Sequence, residues 1–163
     1  MPMKLDKIDR ELILDLQKNG RRSYMQLAKM IGVAEGTIRN RLKKLIGGGV
    51  IKITAIPELS SLGFSFIGIM GMQIRLADLR QVAEQLVQNP HVCYVANVTG
   101  RYEIIAIVVT KSPREFAYFM EHVVSAIPSI LRTETFVTLK IYKGSGEGLD
   151  TTQLISNIDI PTP

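Results

Sequence analysis

The apolar residues of this chain change their spacing partway along the sequence, and this change most constrains the fold. As far as Ile46 they recur every three or four positions, which is typical of amphipathic helices. From Phe64 onward they mostly alternate with polar residues, which is typical of strands. We therefore predict a first domain over residues 1–56, a linker over 57–63, a second domain over 64–143 and a tail over 144–163.

The first domain contains three predicted helices. The first spans Lys7 to Leu16, and Ser23 with Gln26 forms a capping box that begins the second. The third runs from Glu35 to Ile46, and the β-prone stretch Val50 to Ile56 is long enough for a short wing strand. This arrangement predicts a winged helix-turn-helix.

The second domain contains four predicted strands and two predicted helices. The strands are Phe64 to Arg75, Val92 to Thr99, Tyr102 to Thr110 and Leu131 to Ile141. The helices are Asp78 to Gln88 and Pro113 to Ile127. The order β-α-β-β-α-β is that of a ferredoxin-like unit, so the predicted fold class is α+β, a winged helix-turn-helix followed by a βαββαβ domain.

The strand predicted from Tyr102 to Thr110 is apolar on both of its faces. Two helices cover only one face of such a sheet, so the other face needs a different partner. We expect a second copy of the chain to cover it, in a two-fold dimer.

The basic charge of the chain is concentrated in its first domain. Residues 1–60 carry twelve Lys and Arg against six Asp and Glu, whereas residues 61–163 carry eight against nine. A basic head on a nearly neutral body is typical of a protein whose head binds a polyanion, although a solvated basic surface would give the same count.

The third helix has an apolar side and a polar, mostly basic side. An α-helix fits the DNA major groove, where Arg pairs with guanine, Asn pairs with adenine and lysines neutralise phosphates. We predict base contacts near the helix start from Glu35, Thr37, Arg39 and Asn40. Backbone contacts are predicted from Arg41, Lys43 and Lys44. The alternative is a solvent-facing helix without a ligand.

Residues that would support catalysis or metal binding are sparse. His91 and His122 have no Cys or carboxylate at metal-ligand spacing, and no nucleophile is visibly paired with a base. We therefore predict no enzymatic activity, no cofactor and no metal. The single Cys93 fits a reducing, cytoplasmic setting, and the apolar stretches are too short to span a membrane.

Four stretches of the chain resemble the Lrp/AsnC, or feast/famine, family of prokaryotic transcriptional regulators. They are LDKIDRELILDLQKNGRRS, LAKMIGVAEGTIRNRLKKLIGGGVI, VTGRYEIIAIVV and TETFVTLKIYK. The resemblance implies sequence-specific binding of double-stranded DNA and homodimers joined through the C-terminal sheets. It also implies assemblies of dimers up to an octamer, with amino acids or related metabolites bound between dimers near a glycine turn.

The predicted effector site combines that turn with one strand. Its residues are Thr99, Gly100, Arg101, Tyr102, Glu103, Thr133 and Thr135. The glycine lets backbone amides approach a carboxylate, Glu103 offers charge to an ammonium group, and the two threonines offer hydroxyls. The alternative is an ordinary hairpin turn in a protein without an effector.

The chain departs from the family pattern at three places. Ala34 stands where a serine usually caps the third helix, and Glu103 stands where the family has aspartate. The tail continues past the usual end, with glycines that suggest a flexible lead into an apolar segment from Leu154 to Ile160.

Two other functions share this two-domain plan. A siroheme-decarboxylase-like enzyme would, as that resemblance implies, carry Phe-Pro and Arg-Pro motifs in the head and lack the basic helix face. A metabolite-binding assembly module would have lost DNA binding, which the basic head argues against.

Overall fold

The computed structural model describes residues 3–144 and 148–158, which form two compact units. The first unit is Met1–Ala55 and the second is Ile56–Pro163. Among the described helices, none combines the length and the apolar character needed to cross a membrane.

The first unit is a three-helix bundle of α1 (Lys7–Lys18), α2 (Tyr24–Ile31) and α3 (Glu35–Gly47). The predicted capping box of α2 is confirmed, because the Ser23 side chain accepts from Gln26 N–H and the Gln26 side chain accepts from Ser23 N–H. The helices enclose an apolar core made of Leu12, Leu27, Ala28, Ile38 and Leu42.

The wing strand predicted from Val50 to Ile56 is absent from the described chain. Residues 51–58 form neither helix nor strand, and Ile53 and Ile56 are about half exposed. A strand needs a neighbouring strand to pair its backbone, and the described part of the first unit contains none. Only Ile51 of this stretch packs against the helical core.

The second unit has the predicted βαββαβ order around one antiparallel sheet. Its elements are β1 (Phe66–Ile74), α4 (Leu79–Leu86), β2 (Val92–Asn97), β3 (Ile104–Thr110), α5 (Pro113–Phe119) and β4 (Ile130–Val137). The strands lie in the order β2-β3-β1-β4, with every neighbouring pair antiparallel. Both helices pack on one face, where Met70, Met72, Ile104, Ala106 and Val108 form the core with Val82, Leu86 and Phe119.

The second predicted helix of this unit changes type after Phe119. A π-helical turn, Met120–Val124, follows α5, and Ser125 N–H donates to the Met120 carbonyl five residues earlier. Phe119 and Val124 are both buried, and their five-residue separation matches the wider spacing of this turn.

Part of the predicted tail folds against the second unit. Asp150 N–H donates to the Cys93 carbonyl at 2.8 Å, and a short helix, α6 (Thr152–Ser156), follows. Leu154 of α6 is buried against Leu59, Phe64, Cys93 and Val109. Residues 145–147 and 159–163, including the predicted apolar end at Ile160, lie outside the described residues.

Candidate DNA-binding surface and effector site

The exposed side of α3 carries the polar residues predicted to meet DNA. Ile38, Leu42 and Leu45 are buried on the opposite side of the helix. Glu35, Arg39, Asn40, Lys43 and Lys44 are exposed, and Thr37 is partly exposed. No side chain caps α3 at Ala34, and Glu35 supplies the acidic group of its first turn.

Arg39 is held in place by neighbours on two helices. Its guanidinium lies 3.1 Å from Glu35 Oε1, one helical turn away, and 5.8 Å from the centre of the Tyr24 ring of α2. These contacts favour one placement of a side chain that is 66% exposed. A charged group limited in this way loses less entropy when it binds a partner.

Arg41 is placed apart from the other predicted DNA contacts. Its Nη1 pairs with Asp6 and lies 3.3 Å from both carboxylate oxygens of Asp9, which belong to the start of α1. Arg41 lies three residues after Ile38 and four before Leu45, at the edge of the buried stripe. The Arg41 side chain therefore lies against the start of α1, whereas the Lys43 side chain is exposed.

The glycine turn between β2 and β3 is pinned to β1 by hydrogen bonds. Glu103 N–H donates to the Met72 carbonyl at 3.0 Å, and Glu103 Oε2 accepts from Ile74 N–H at 2.8 Å. Gly100 adopts φ 125°, a conformation that favours glycine, and no atom lies within 4 Å of where its β-carbon would be. The carboxylate predicted to bind an effector thus also anchors the turn.

Thr133 and Thr135 lie on the helix-covered face of the sheet, whereas Tyr102 of the turn lies on the opposite face. Thr133 pairs with Met72 and Thr135 with Met70, and both methionines are fully buried under the helices. Tyr102 instead packs on Gly71, which points to the opposite face because side chains alternate along a strand. The register therefore separates both threonines from the Tyr102 side chain, and their grouping with the rest of the turn stays a prediction.

Two family models match the sequence over the regions just described. The AsnC-type helix-turn-helix domain matches residues 5–46, and the Lrp/AsnC ligand binding domain matches residues 66–147. The chain belongs to the Lrp/AsnC family. It is therefore a transcriptional regulator of that family, with a DNA-binding helix-turn-helix and a ligand-binding domain.

Known transcriptional regulators resemble this chain over nearly their whole length. The HTH-type transcriptional regulator FL11 of Pyrococcus abyssi is 35% identical over 148 residues, which are 90% of this chain and 97% of that protein. The structure of E. coli AsnC superposes with a TM-score of 0.82 at 26% identity, covering 87% of this chain and 97% of that one. A Neisseria meningitidis transcriptional regulator in complex with L-Met has the same fold, with a TM-score of 0.81 at 22% identity over 87% and 94%.

Sequence reasoning missed two acidic residues that organise the helix-turn-helix of this Lrp/AsnC regulator. Asp9 and Asp15 are buried in α1, and Asp15 Oδ2 forms an ion pair with Arg22 Nε at 2.8 Å. Both flank the apolar stripe of Ile8, Leu12 and Leu16. Acidic residues beside a buried stripe signal an internal cationic partner, because buried carboxylates are rarely left unpaired.

The two histidines and the cysteine of the Lrp/AsnC ligand-binding domain contact neighbours within that domain. His91 Nδ1 lies 3.1 Å from the Val109 carbonyl, and His122 stacks on Tyr118 at 4.0 Å. Burial, aided by the nearby charge of Asp150, raises the pKa of the Cys93 thiol to about 11. Within residues 3–144 and 148–158, no group of three or more His, Cys, Asp or Glu side chains could hold a metal ion.

The sheet of this family domain has an open face, which we define as the face away from α4 and α5. Tyr102 covers one end of it, and Leu154 packs against Cys93 and Val109 at the other end. Between these ends Ile69 and Phe136 are 37% and 52% exposed. A groove of about 850 Å³ runs along this region.

Proposed function

We propose that this Lrp/AsnC regulator binds a specific duplex DNA site by inserting α3 into the major groove. The observation that carries the proposal is the exposed row of Asn40, Lys43 and Lys44 on the side of α3 opposite its buried stripe, with Arg39 exposed at the flank near Tyr24 of α2. This pairing of a base-reading amide with cations suits a groove lined by phosphates.

Each residue of this row has a distinct part in the proposal. Arg39 and Asn40, in the N-terminal half of α3, read base edges, and Lys43 and Lys44 neutralise phosphates. Glu35 orients Arg39 through their 3.1 Å ion pair. Thr37 remains a candidate base contact beside them.

We further propose that a small metabolite, such as an amino acid, binds at the turn Thr99–Glu103 and alters DNA binding. Gly100 leaves open space for a ligand carboxylate, Arg101 is largely exposed, and Glu103 supplies negative charge. The related regulator in complex with L-Met supports an amino acid as the class of ligand. Thr133 and Thr135 form no part of this site in the present proposal, since they face the helices.

The open face supports assembly into homodimers, from which higher oligomers such as octamers can be built. Exposed Ile69, Tyr94 and Phe136 lie on one side of a sheet whose other side is covered. Contiguous apolar surface of this kind usually marks a protein interface. A two-fold dimer would bury it with the same residues contributed by each copy.

Selection of duplexes from a random pool, followed by titration of the enriched sequence and a scrambled duplex of equal composition, tests the proposed function. We expect enrichment of one site bound at least about 1,000-fold more tightly than the scrambled duplex, the lower end for specific DNA-binding proteins. Repeating the titration with each amino acid should reveal one that shifts the affinity. Failure to enrich any sequence would contradict specific DNA recognition.

A further inference from the structure

We infer that Arg41 is a positioning residue, which sets the orientation of α3 through the start of α1 instead of contacting DNA phosphates. The inference rests on the proposed function, because it concerns how α3 is presented to DNA. Arg41 is one of the cations on α3, so charge counting alone would assign it to the DNA backbone.

The capping box of α1 binds the Arg41 side chain. Asp6 Oδ1 accepts from Asp9 N–H at 2.9 Å, and Asp9 Oδ2 accepts from Asp6 N–H at 3.2 Å. Arg41 Nη1 donates to Asp6 Oδ2 and lies 3.3 Å from Asp9 Oδ1. The same two carboxylates therefore cap one helix and hold the guanidinium of another.

The three charges differ in their shelter from water, because the Asp6 side chain is 47% exposed and the other two are less exposed. The Asp9 side chain is only 5% exposed and the Arg41 side chain 31%. A hydrogen bond from the Asp9 backbone, reinforced by Arg41, lowers the pKa of Asp6, and the pKa of Arg41 is raised by its hydrogen bond to Asp6. A sheltered carboxylate with a fixed cation resists separation, because each would lose its main compensating charge.

Helix geometry makes this contact decisive for the DNA-facing side. Successive residues of an α-helix are rotated by about 100°, so residues two apart point to nearly opposite sides. When Lys43 faces a groove, Arg41 is turned away from it. Apolar packing of Ile38 and Leu42 is non-directional, whereas the pair between Arg41 and the capping box fixes the rotation of α3 and hence the direction of Asn40.

Removing one acidic charge from the capping box of α1 distinguishes a positioning role of Arg41 from a phosphate contact. Loss of positioning weakens the preference for the selected site, whereas an arginine that contacts phosphate would bind DNA more tightly once freed from Asp6. In Asp6→Asn the N-cap is kept, because asparagine caps helices as well as aspartate. A positioning role predicts a loss of about threefold or more in preference for the selected site over the scrambled duplex, a part of one bidentate base contact. Glu11→Gln is the control, since it removes one partly exposed acidic charge from the same helix.

A second variant, Arg41→Gln, measures the dependence of binding on salt. Positioning predicts an unchanged slope of log affinity against log salt and a loss of roughly tenfold in site preference. Both variants are measured in the full chain at a temperature where circular dichroism shows them fully folded. A residue that only stabilised the fold would leave site preference unchanged under these conditions.

The outcomes distinguish the inference from the proposed function. A slope reduced by about 0.9 in Arg41→Gln would show a phosphate contact and overturn the inference. An unchanged site preference in both variants would do the same, even if Asp6→Asn tightened binding to both duplexes as Glu11→Gln does. If the wild-type protein prefers no duplex at all, it is the proposed function that fails.

Discussion

The ring of Tyr102 lies directly against the backbone of Gly71. A β-carbon at position 71 would be 2.5 Å from Tyr102 Cδ2, closer than non-bonded carbon atoms approach in proteins. The contact joins the glycine turn to β1 on the open face. Glycine at position 71 is therefore required by the side chain that packs on it, and not by its own backbone conformation.

We expect Gly71→Ala to lower the free energy of unfolding by about 1–3 kcal/mol, the usual cost of overpacking. The added methyl group must displace the ring of Tyr102, and truncating the ring should remove the conflict. Urea unfolding of Gly71→Ala in the wild-type and Tyr102→Ala backgrounds measures this coupling. An equal cost in both backgrounds would show that the ring does not oppose the methyl group.

Substitutions on α3 should separate base contacts from phosphate contacts. We expect Lys43→Ala and Lys44→Ala to weaken binding to all duplexes alike and to reduce the salt slope by roughly 0.9 each. Arg39→Ala and Asn40→Ala should lose about 1–3 kcal/mol of binding on the selected site alone. Titrations on selected and scrambled duplexes at several salt concentrations check both, and equal losses on both duplexes would remove Arg39 and Asn40 from base recognition.

Local patterns in the sequence were sufficient to predict most of the helices and the order of helices and strands along the chain. The capping box at Ser23 and the continuous apolar run of β3 depend on neighbours close in the chain. The prediction of a wing strand was wrong because a strand forms only when it pairs with a second strand, which no local pattern supplies. Arg41 and Thr133 depend on which neighbour each one meets across the fold, Asp9 for the arginine and Met72 for the threonine.

The thiol of Cys93 should report whether the segment containing Leu154 is docked. Leu154 and Cys93 belong to the same buried cluster, so Leu154→Ala should expose the thiol and accelerate its reaction with a disulfide reagent such as Ellman's reagent. Leu139→Ala is the matched control, because Leu139 is 95% exposed. Equal reaction rates in Leu154→Ala and wild type would mean that the segment does not protect Cys93.

The same thiol makes stability depend on pH in the alkaline range. Its pKa rises from the ordinary 9.0 to about 11 in the folded chain, so the folded state binds this proton more tightly than the unfolded state. The stabilisation is complete below pH 9 and is lost as the pH rises toward 11. Cys93→Ala should flatten the fall in melting temperature over this window, and an unchanged pH profile would assign that fall to other groups.

The open face should determine the oligomeric state. We expect the wild-type chain to be at least dimeric at micromolar concentration and Ile69→Asp to be shifted toward monomer, because a charge would be buried without a partner. Tyr118→Asp serves as control, since Tyr118 is 61% exposed on the helical side of the domain. Sedimentation equilibrium distinguishes these states, and a monomeric wild type would remove the argument for sheet packing.

Binding of an effector at the glycine turn should depend on residues of the turn and not on residues of the helix-covered face of the sheet. Arg101 is 75% exposed by its side chain and lies 3.9 Å from Glu134, so it is free to turn toward a carboxylate. We expect Arg101→Ala to weaken binding of the amino acid found by thermal-shift screening by about 1.5–3 kcal/mol, the range for a hydrogen bond to a charged group.

Thr133→Val is the matched control for that measurement, because it removes the predicted hydroxyl without changing side-chain size. Thr133 pairs with the buried Met72 and faces the helices, so its loss should leave the calorimetric affinity unchanged. If Thr133→Val weakened binding while Arg101→Ala did not, the effector would lie on the helix-covered face.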